Sequence, residues 1–318
     1  MFPFHRALVT GGAGFIGSHL VEELLTLGLE VISIDNYVTG KHANLTHLNS
    51  PCLREVKCDV NDYGALKPWF EGVDIVFHEA ASKKTVCARD PRLDLETNAK
   101  GTFNILELAR DFQVKKVVHA STGSVYGEAL YFPQDEDHLL NPTSYYGVSK
   151  LAGEKYAMAF RHLYGLDVTV LRYFHVYGPR QDYSDDGGVV AIFGSRVLQD
   201  QPPIIYGDGQ QQRSFTYVKD VVAANLLVAA DPRACGQVYN CASGIRVTIR
   251  ELADLTLKFL NKEHLGVQYA DWKLGDIKVF DVDNARLRSL GFALITPFEV
   301  GLQETLEWLR QDLESSIR

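Results

Sequence analysis

Along the first 120 or so residues, short runs of β-branched and aliphatic side chains alternate with longer segments whose apolar positions fall three and four apart. "RALVT" leads into "FIGSHLVEELLTLG", "EVISID" follows, "CLREVKCDV" leads into "NDYGALKPWFEG", and "DIVFHEA" leads into a helical pattern running to about Phe112, before "KKVVHAST". Continuous apolar strands separated by amphipathic helices predict a parallel sheet covered on both faces. In the first helix the stripe predicts Leu20, Leu24 and Leu27 on the buried side and a stop at Gly28. A further helix, "SYYGVSKLAGEKYAMAFRHLYG", and a strand, "DVTVLRYF", complete this half.

From about residue 174 the texture changes. Gly, Pro, Asp and Gln become frequent, and helices are expected near 188 to 199, 218 to 229, 248 to 261 and 298 to 313, separated by irregular stretches. The expected architecture is α/β: a Rossmann-type doubly wound parallel sheet over residues 1–173, joined by part of 210–242, with a smaller α+β substrate-binding region over 174–318.

Composition narrows the chemistry. The chain has 318 residues, 46% of them apolar and 23% charged, which suits an ordinary globular protein. A formal charge of -8 offers no global basic field, so neither nucleic acid nor an anionic membrane is the expected partner. No apolar run approaches the roughly 20 residues of a membrane span. The five cysteines show no CxxC spacing, which argues for free thiols, for a reducing, cytoplasmic setting, and against a metal site.

Between the first strand and helix lies "VTGGAGFIGSHL", with Gly12-x-Gly14-x-x-Gly17. Glycines there can mark only a tight turn, or they can let backbone N–H groups approach a pyrophosphate at a helix N-terminus. Asp35, closing the second strand, favours the second reading. A carboxylate there accepts hydrogen bonds from an adenosine ribose and repels a 2′-phosphate, so the expected cofactor is NAD. Asp59 and Val60 end the third strand, where they border the adenine, or Asp59 caps the next helix.

Tyr146 and Lys150 stand four apart, a spacing that also occurs at Tyr37 and Lys41, Tyr63 and Lys67, and Tyr269 and Lys273. Position separates them. The pair at 146 and 150 opens the helix after the fifth strand, where the two side chains share a face and Thr122 and Ser124 end the strand beside them. A tyrosine acting near neutral pH needs its pKa lowered by about three units, about 4 kcal/mol. One positive charge about 5 Å away supplies roughly 3 kcal/mol at an effective dielectric near 20, so Lys150 falls short and an oxidised nicotinamide is expected to add the rest.

With these residues in place, the sequence resembles an extended short-chain dehydrogenase/reductase of the nucleotide-sugar epimerase/dehydratase group. "TGGAGFIGSHL", "HEAA" at 78–81, "NAKGT" at 98–102, "STGSVYGE", "YYGVSK", "RYFHVYGPRQ" at 172–181 and "YGDGQQQRSFTYVKD" at 206–220 carry the resemblance in order over nearly the whole chain.

The resemblance implies a catalytic set of Thr122, Tyr146 and Lys150. It implies cofactor contacts from Gly11, Gly14, Phe15, Ile16, Gly17, Asp35, Asn36, Asp59, Val60, Ala80, Lys83, Asn98 and Tyr173, together with Tyr146 and Lys150. For the sugar nucleotide it implies Lys83, Thr122, Ser124, Tyr146, His175, Val189, Tyr206, Arg213 and Asp276. Arg213 would clamp a diphosphate, or form a surface ion pair.

Family dehydratases carry Asp-Glu after the threonine, where this chain has Gly123-Ser124, so oxidation and re-reduction at C4 of a UDP-sugar is the reaction expected. The alternatives are a dehydratase or other oxidoreductase of the family, or a non-catalytic NAD-binding regulator. His175 replaces a family asparagine, Lys273 a family arginine, and Tyr145 a common proline. Phe280 favours an unacetylated hexose, whereas His175, Lys83, Lys84 and Arg89 would suit an acidic sugar. A homodimer is also implied, pairing the helices of residues 95–112 and 146–163.

Overall fold

The computed structural model describes residues 2–272 and 279–317. The predicted parallel sheet is present. Seven strands make it up: β1 (Arg6–Thr10), β2 (Glu30–Asp35), β3 (Leu53–Lys57), β4 (Ile75–His78), β5 (Lys116–Thr122), β6 (Val168–Tyr173) and β7 (Val238–Cys241). They lie in the order β7-β6-β5-β4-β1-β2-β3, every neighbouring pair parallel. The order reverses between β1 and β4, and their carboxyl ends therefore open a crevice for a ligand.

The sheet is apolar on both faces. On one, α1 (Phe15–Thr26) and a later helix, Val218–Ala230, cover Ala7, Val9, Phe77, Val118 and Leu171. On the other, α2 (Thr102–Asp111) and α3 (Tyr145–Tyr164) cover Leu8, Val76, Val117, Val168 and Val170. A third cluster gathers α4 (Val189–Leu198), α6 (Ile249–Phe259) and α7 (Phe298–Ile317), with α5 being Val218–Ala230. The four expected C-terminal helices are these. Among the described residues no helix is long and apolar enough to cross a membrane.

Local departures have local causes. Leu20 and Leu24 are buried as the stripe predicts, but Leu27 is 44% exposed and Val21 is buried in its place. Leu27 is already the cap residue, and the chain turns off the face at Gly28, whose φ of +84 lets Gly28 N donate to Leu25 O and Leu29 N to Leu24 O.

The long helix expected up to Phe112 is broken. Asp90 leaves helical geometry, its side chain accepts from Arg92 N and Leu93 N, and Pro91 starts a new turn. Beyond it Leu95–Gly101 widens into a π-helix, the kind of distortion that often marks a functional position. The segment at 61–72 shortens to Tyr63–Leu66 and a 3-10 turn at Lys67–Phe70 containing Pro68; its cap is Asp62.

Candidate active site

The turn after β1 is built for close approach. Gly11 has φ +67, and a Cβ on it would lie 2.8 Å from Ala80 N; one on Gly17 would lie 2.1 Å from Gly11 O. Valine at position 17 must therefore push the turn out of shape. At about 1 to 3 kcal/mol of overpacking, Gly17→Val is expected to weaken NAD binding by about tenfold to a hundredfold. Titrating nucleotide-free protein with NAD measures this, and circular dichroism checks the fold.

At the far end of the same cleft Asp35 is 7% exposed and accepts from Ala13 N at 3.1 Å and Tyr37 N at 2.7 Å. Burial raises its pKa above the ordinary carboxylate value, although both hydrogen bonds oppose this. Each carboxylate oxygen keeps a second acceptor position, enough for ribose hydroxyls. One cavity of about 230 Å³ runs between these two features and on to the catalytic pair. Its wall includes Gly11, Gly14, Phe15, Ile16, Gly17, Asp35, Asn36, Val60, Ala80, Lys83, Tyr146, Lys150 and Tyr173, all expected at the cofactor.

Two expected cofactor residues stand behind that wall. Asp59 accepts from Asn36 Nδ2 and from Asn61 N, and so holds the Asn36 side chain; it caps no helix. Asn98, fully buried in the π-helix, accepts from Ser82 N at 2.8 Å and donates to Asp94 at 2.7 Å and Ser149 at 3.1 Å. It fixes the loop that carries Lys83.

Tyr146 lies in the first turn of α3, which Ser144 caps by accepting from Gly147 N. Its phenol hydrogen-bonds with Thr122, whose Oγ1 also lies 3.2 Å from Ser124 N and 3.3 Å from Ser124 Oγ. Lys150, 2% exposed, donates to Ala120 O at 2.6 Å. The predicted lowering of the Tyr146 pKa is not what the protein alone provides. Burial pushes the phenol up to about 12, the Thr122 hydrogen bond opposes this, and Cys87 and Asp94 add to it. Burial also lowers Lys150 to about 8, against the nearby Glu79, Glu154, Asp94 and Cys87. Desolvation is the largest cause of both shifts.

In two of the look-alike pairs the tyrosine has a structural partner. Tyr37 donates to Glu55 and Tyr63 to Asp111. Lys273 lies outside the described residues, as does Asp276.

A second cavity, about 670 Å³, opens beside the first and shares Gly14, Phe15, Lys83 and Tyr146 with it. His175 lines it, at φ +40, with Phe280 edge-on at 4.6 Å. Arg213, 7% exposed, donates to Gln212 O at 2.9 Å and places its guanidinium over the Phe280 ring at 5.2 Å. Val189 begins α4 directly after the wall residue Gly188, and Tyr206 is half-buried at the end of the strand Ile204–Tyr206. Two of the cations expected to meet an acidic sugar have acidic partners: Lys83 bonds Asp182 at 2.6 Å, and Arg89 bonds Asp186.

Two features of the site escaped the sequence. Glu79 lines the cofactor cavity and accepts from Tyr173 at 2.8 Å, and Tyr173 in turn accepts from Asn225 at 2.8 Å. A carboxylate directly after the fully buried strand β4 was the available signal. Behind the site Arg172 and Glu154, both with side chains 3% exposed, form a two-pronged ion pair at 3.0 and 2.7 Å. Ser121 and Tyr126 complete its hydrogen bonds.

A dinucleotide cradle continuous with a tyrosine–lysine pair at the carboxyl edge of a seven-stranded parallel sheet is the arrangement of the extended short-chain dehydrogenases/reductases. Within that class the chain belongs to the NAD dependent epimerase/dehydratase family, whose model matches residues 7–242. It is 37% identical over 317 residues to the UDP-glucose 4-epimerase of Mycolicibacterium smegmatis, covering 96% of this chain and 98% of that protein. Among solved structures it resembles the UDP-glucose 4-epimerase of Thermotoga maritima with UDP-glucose, at TM-score 0.92 and 36% identity, covering 97% of this chain and 99% of that one. It is similar also to the UDP-N-acetylglucosamine 4-epimerase of Methanobrevibacter ruminantium in complex with UDP-N-acetylmuramic acid, at TM-score 0.93 and 35% identity, covering 97% and 99%.

Proposed function

We propose that the protein is a UDP-sugar 4-epimerase. The observation that carries this is the absence of a carboxylate beside Thr122, at the two positions where elimination needs one. Residue 123 is glycine packed so tightly that a Cβ would lie 2.3 Å from the Phe174 ring, and residue 124 is serine. Apart from Asp35 at the ribose end, the acids that do line the cleft are engaged: Asp182 by Lys83, Asp186 by Arg89 and Glu79 by Tyr173.

In this reading Gly11, Gly14 and Gly17 take the dinucleotide pyrophosphate, Asp35 its adenosine ribose, and residues 174–318 the sugar nucleotide. When bound, the nicotinamide supplies reversible two-electron oxidation at the sugar carbon and, when oxidised, a positive charge beside the phenol. Tyr146 Oη takes the proton of the C4 hydroxyl, which Thr122 Oγ1 orients, and returns it after the sugar has turned over. Lys150, anchored on Ala120 O, holds a charge close by that favours the phenolate. Phe280 and His175 shape the side of the pocket facing the hexose.

Incubating the purified protein with UDP-glucose, UDP-N-acetylglucosamine and UDP-glucuronate without added NAD, followed by NMR, tests the proposal. Inversion at C4 of one of them is the expected result. Accumulation of a keto or deoxy product instead makes the protein a dehydratase or another oxidoreductase.

We place it in the cytoplasm, in keeping with its five free thiols, and expect a homodimer. Leu95, Phe103 and Tyr156 are exposed on adjoining helices, with the Phe103 and Tyr156 rings 5.3 Å apart, an apolar face that suits a two-fold contact. Light scattering at micromolar concentration should give twice the monomer mass, and the double change Phe103→Glu, Tyr156→Glu should halve it.

A further inference from the structure

The cofactor cleft contains one acidic side chain at each end. Asp35 serves the ribose end; Glu79 sits at the other, in the same cavity wall as Tyr146, Lys150 and Tyr173. Because the acid/base pair marks where the redox chemistry takes place, this is the nicotinamide end. No step of the proposed reaction uses Glu79, yet three elements fix it. It follows β4 directly, Tyr173 of β6 donates to its Oε1, and Asn225 of α5 donates to the Tyr173 hydroxyl.

We propose that the Glu79 carboxylate is the counter-charge at the nicotinamide end: ionised, it stabilises the cationic, oxidised form of bound NAD over the neutral, reduced form. Two-electron reduction removes the ring's positive charge and with it the attraction to the carboxylate. Glu79 thereby sets how easily the bound cofactor is reduced, in a low-dielectric site where one charge acts strongly.

The carboxylate can change charge near neutral pH. Burial pushes Glu79 up to about 7, opposed by the Tyr173 hydrogen bond and the Lys150 charge. The titratable groups facing it are Tyr173 from β6, Lys150 from α3 and Cys241 from β7. Tyr173 and Cys241 are both pushed upward and stay protonated, and Lys150, lowered to about 8, stays charged through the acid side of that range. Between about pH 5.5 and 7 the changing charge at this end of the cleft is therefore chiefly that of Glu79, Lys150 beginning to lose its proton only above that.

The test is a pair of binding titrations on nucleotide-free protein, one with NAD+ and one with NADH, across that range. In the wild type the preference for NAD+ should rise with pH as Glu79 ionises. Glu79→Gln should lower the preference at the upper end by about tenfold, equivalent to about 30 mV for a two-electron couple, and flatten its pH course. Tyr173→Phe keeps the carboxylate but loses a hydrogen bond to its ionised form, so the rise should move to higher pH. Should Glu79→Gln leave both the preference and its pH course as in the wild type, the proposal is overturned. If that variant does not fold, an unshifted course in Tyr173→Phe overturns it equally. Neither titration contains sugar, so a wrong choice of sugar substrate does not affect the result.

Discussion

Tyr146→Phe is expected to give a folded, NAD-binding protein whose turnover on its UDP-sugar has fallen by about 10²- to 10⁴-fold, the range that a positioned proton carrier contributes. The substitution removes one oxygen atom and leaves the ring that lines both cavities. The loss should fall on kcat more than on KM, because the phenol acts on the proton in flight, whereas the sugar nucleotide is gripped elsewhere. The same oxygen explains why burial up to about 12 does not disqualify the residue. A phenol that keeps its proton in the resting protein is a competent acid, and the second positive charge that makes it a base, beside Lys150, arrives only in the loaded site. Steady-state rates with the substrate found by NMR, alongside NAD titration and thermal unfolding, separate the outcomes. Turnover within tenfold of wild type would assign the proton to another group.

The second large effect concerns stability. Arg172→Met strands the Glu154 carboxylate, 3% exposed, beside Ser121 with no counter-charge. Removing one member of a buried ion pair costs about 3–5 kcal/mol, most of it the penalty of the charge left behind. Urea unfolding followed by fluorescence should register that loss. The double change Arg172→Met, Glu154→Leu should recover most of it, since two apolar side chains of similar volume need no partner. If both proteins lose the same stability, the loss belongs to the Tyr126 and Ser121 contacts and not to the stranded charge.

What could be read from the sequence, and what could not, follows from how far each signal reaches along the chain. Strand runs and the helix at 144–165 are local patterns, and the fold reproduces them. The glycine turn and Asp35 came from residues closer together than one βαβ unit, and the cavity joins them. Contacts between distant segments stayed hidden. The Lys83–Asp182 pair joins positions 99 apart, so Lys83 looked like a free cation. Leu27 was one residue beyond the last turn, an ambiguity that periodicity does not resolve. Asp90 and Pro91 were visible signals for the break in the long helix, but the π-helix around Asn98 is set by packing against α3, which no local preference encodes. Tyr146 shows the same limit in energetic form: the charge four residues away was legible, the desolvation around it was not.

The seventh strand has a consequence for how the protein is made. β7 begins only at Val238, after α4 and α5 have followed the end of β6 at Tyr173, yet it pairs with β6 through Val238–Val170 and its neighbours, and Thr169 donates to Ala234 O at 2.7 Å. While a ribosome is still adding the intervening segments, β6 presents an unpaired row of backbone amides and carbonyls, the template on which nascent chains stick to one another. A fragment ending at Tyr173 would carry that sticky margin permanently and would also lack α5 over one face of the sheet, so the nucleotide-binding half should be soluble only when residues 218–241 are supplied with it.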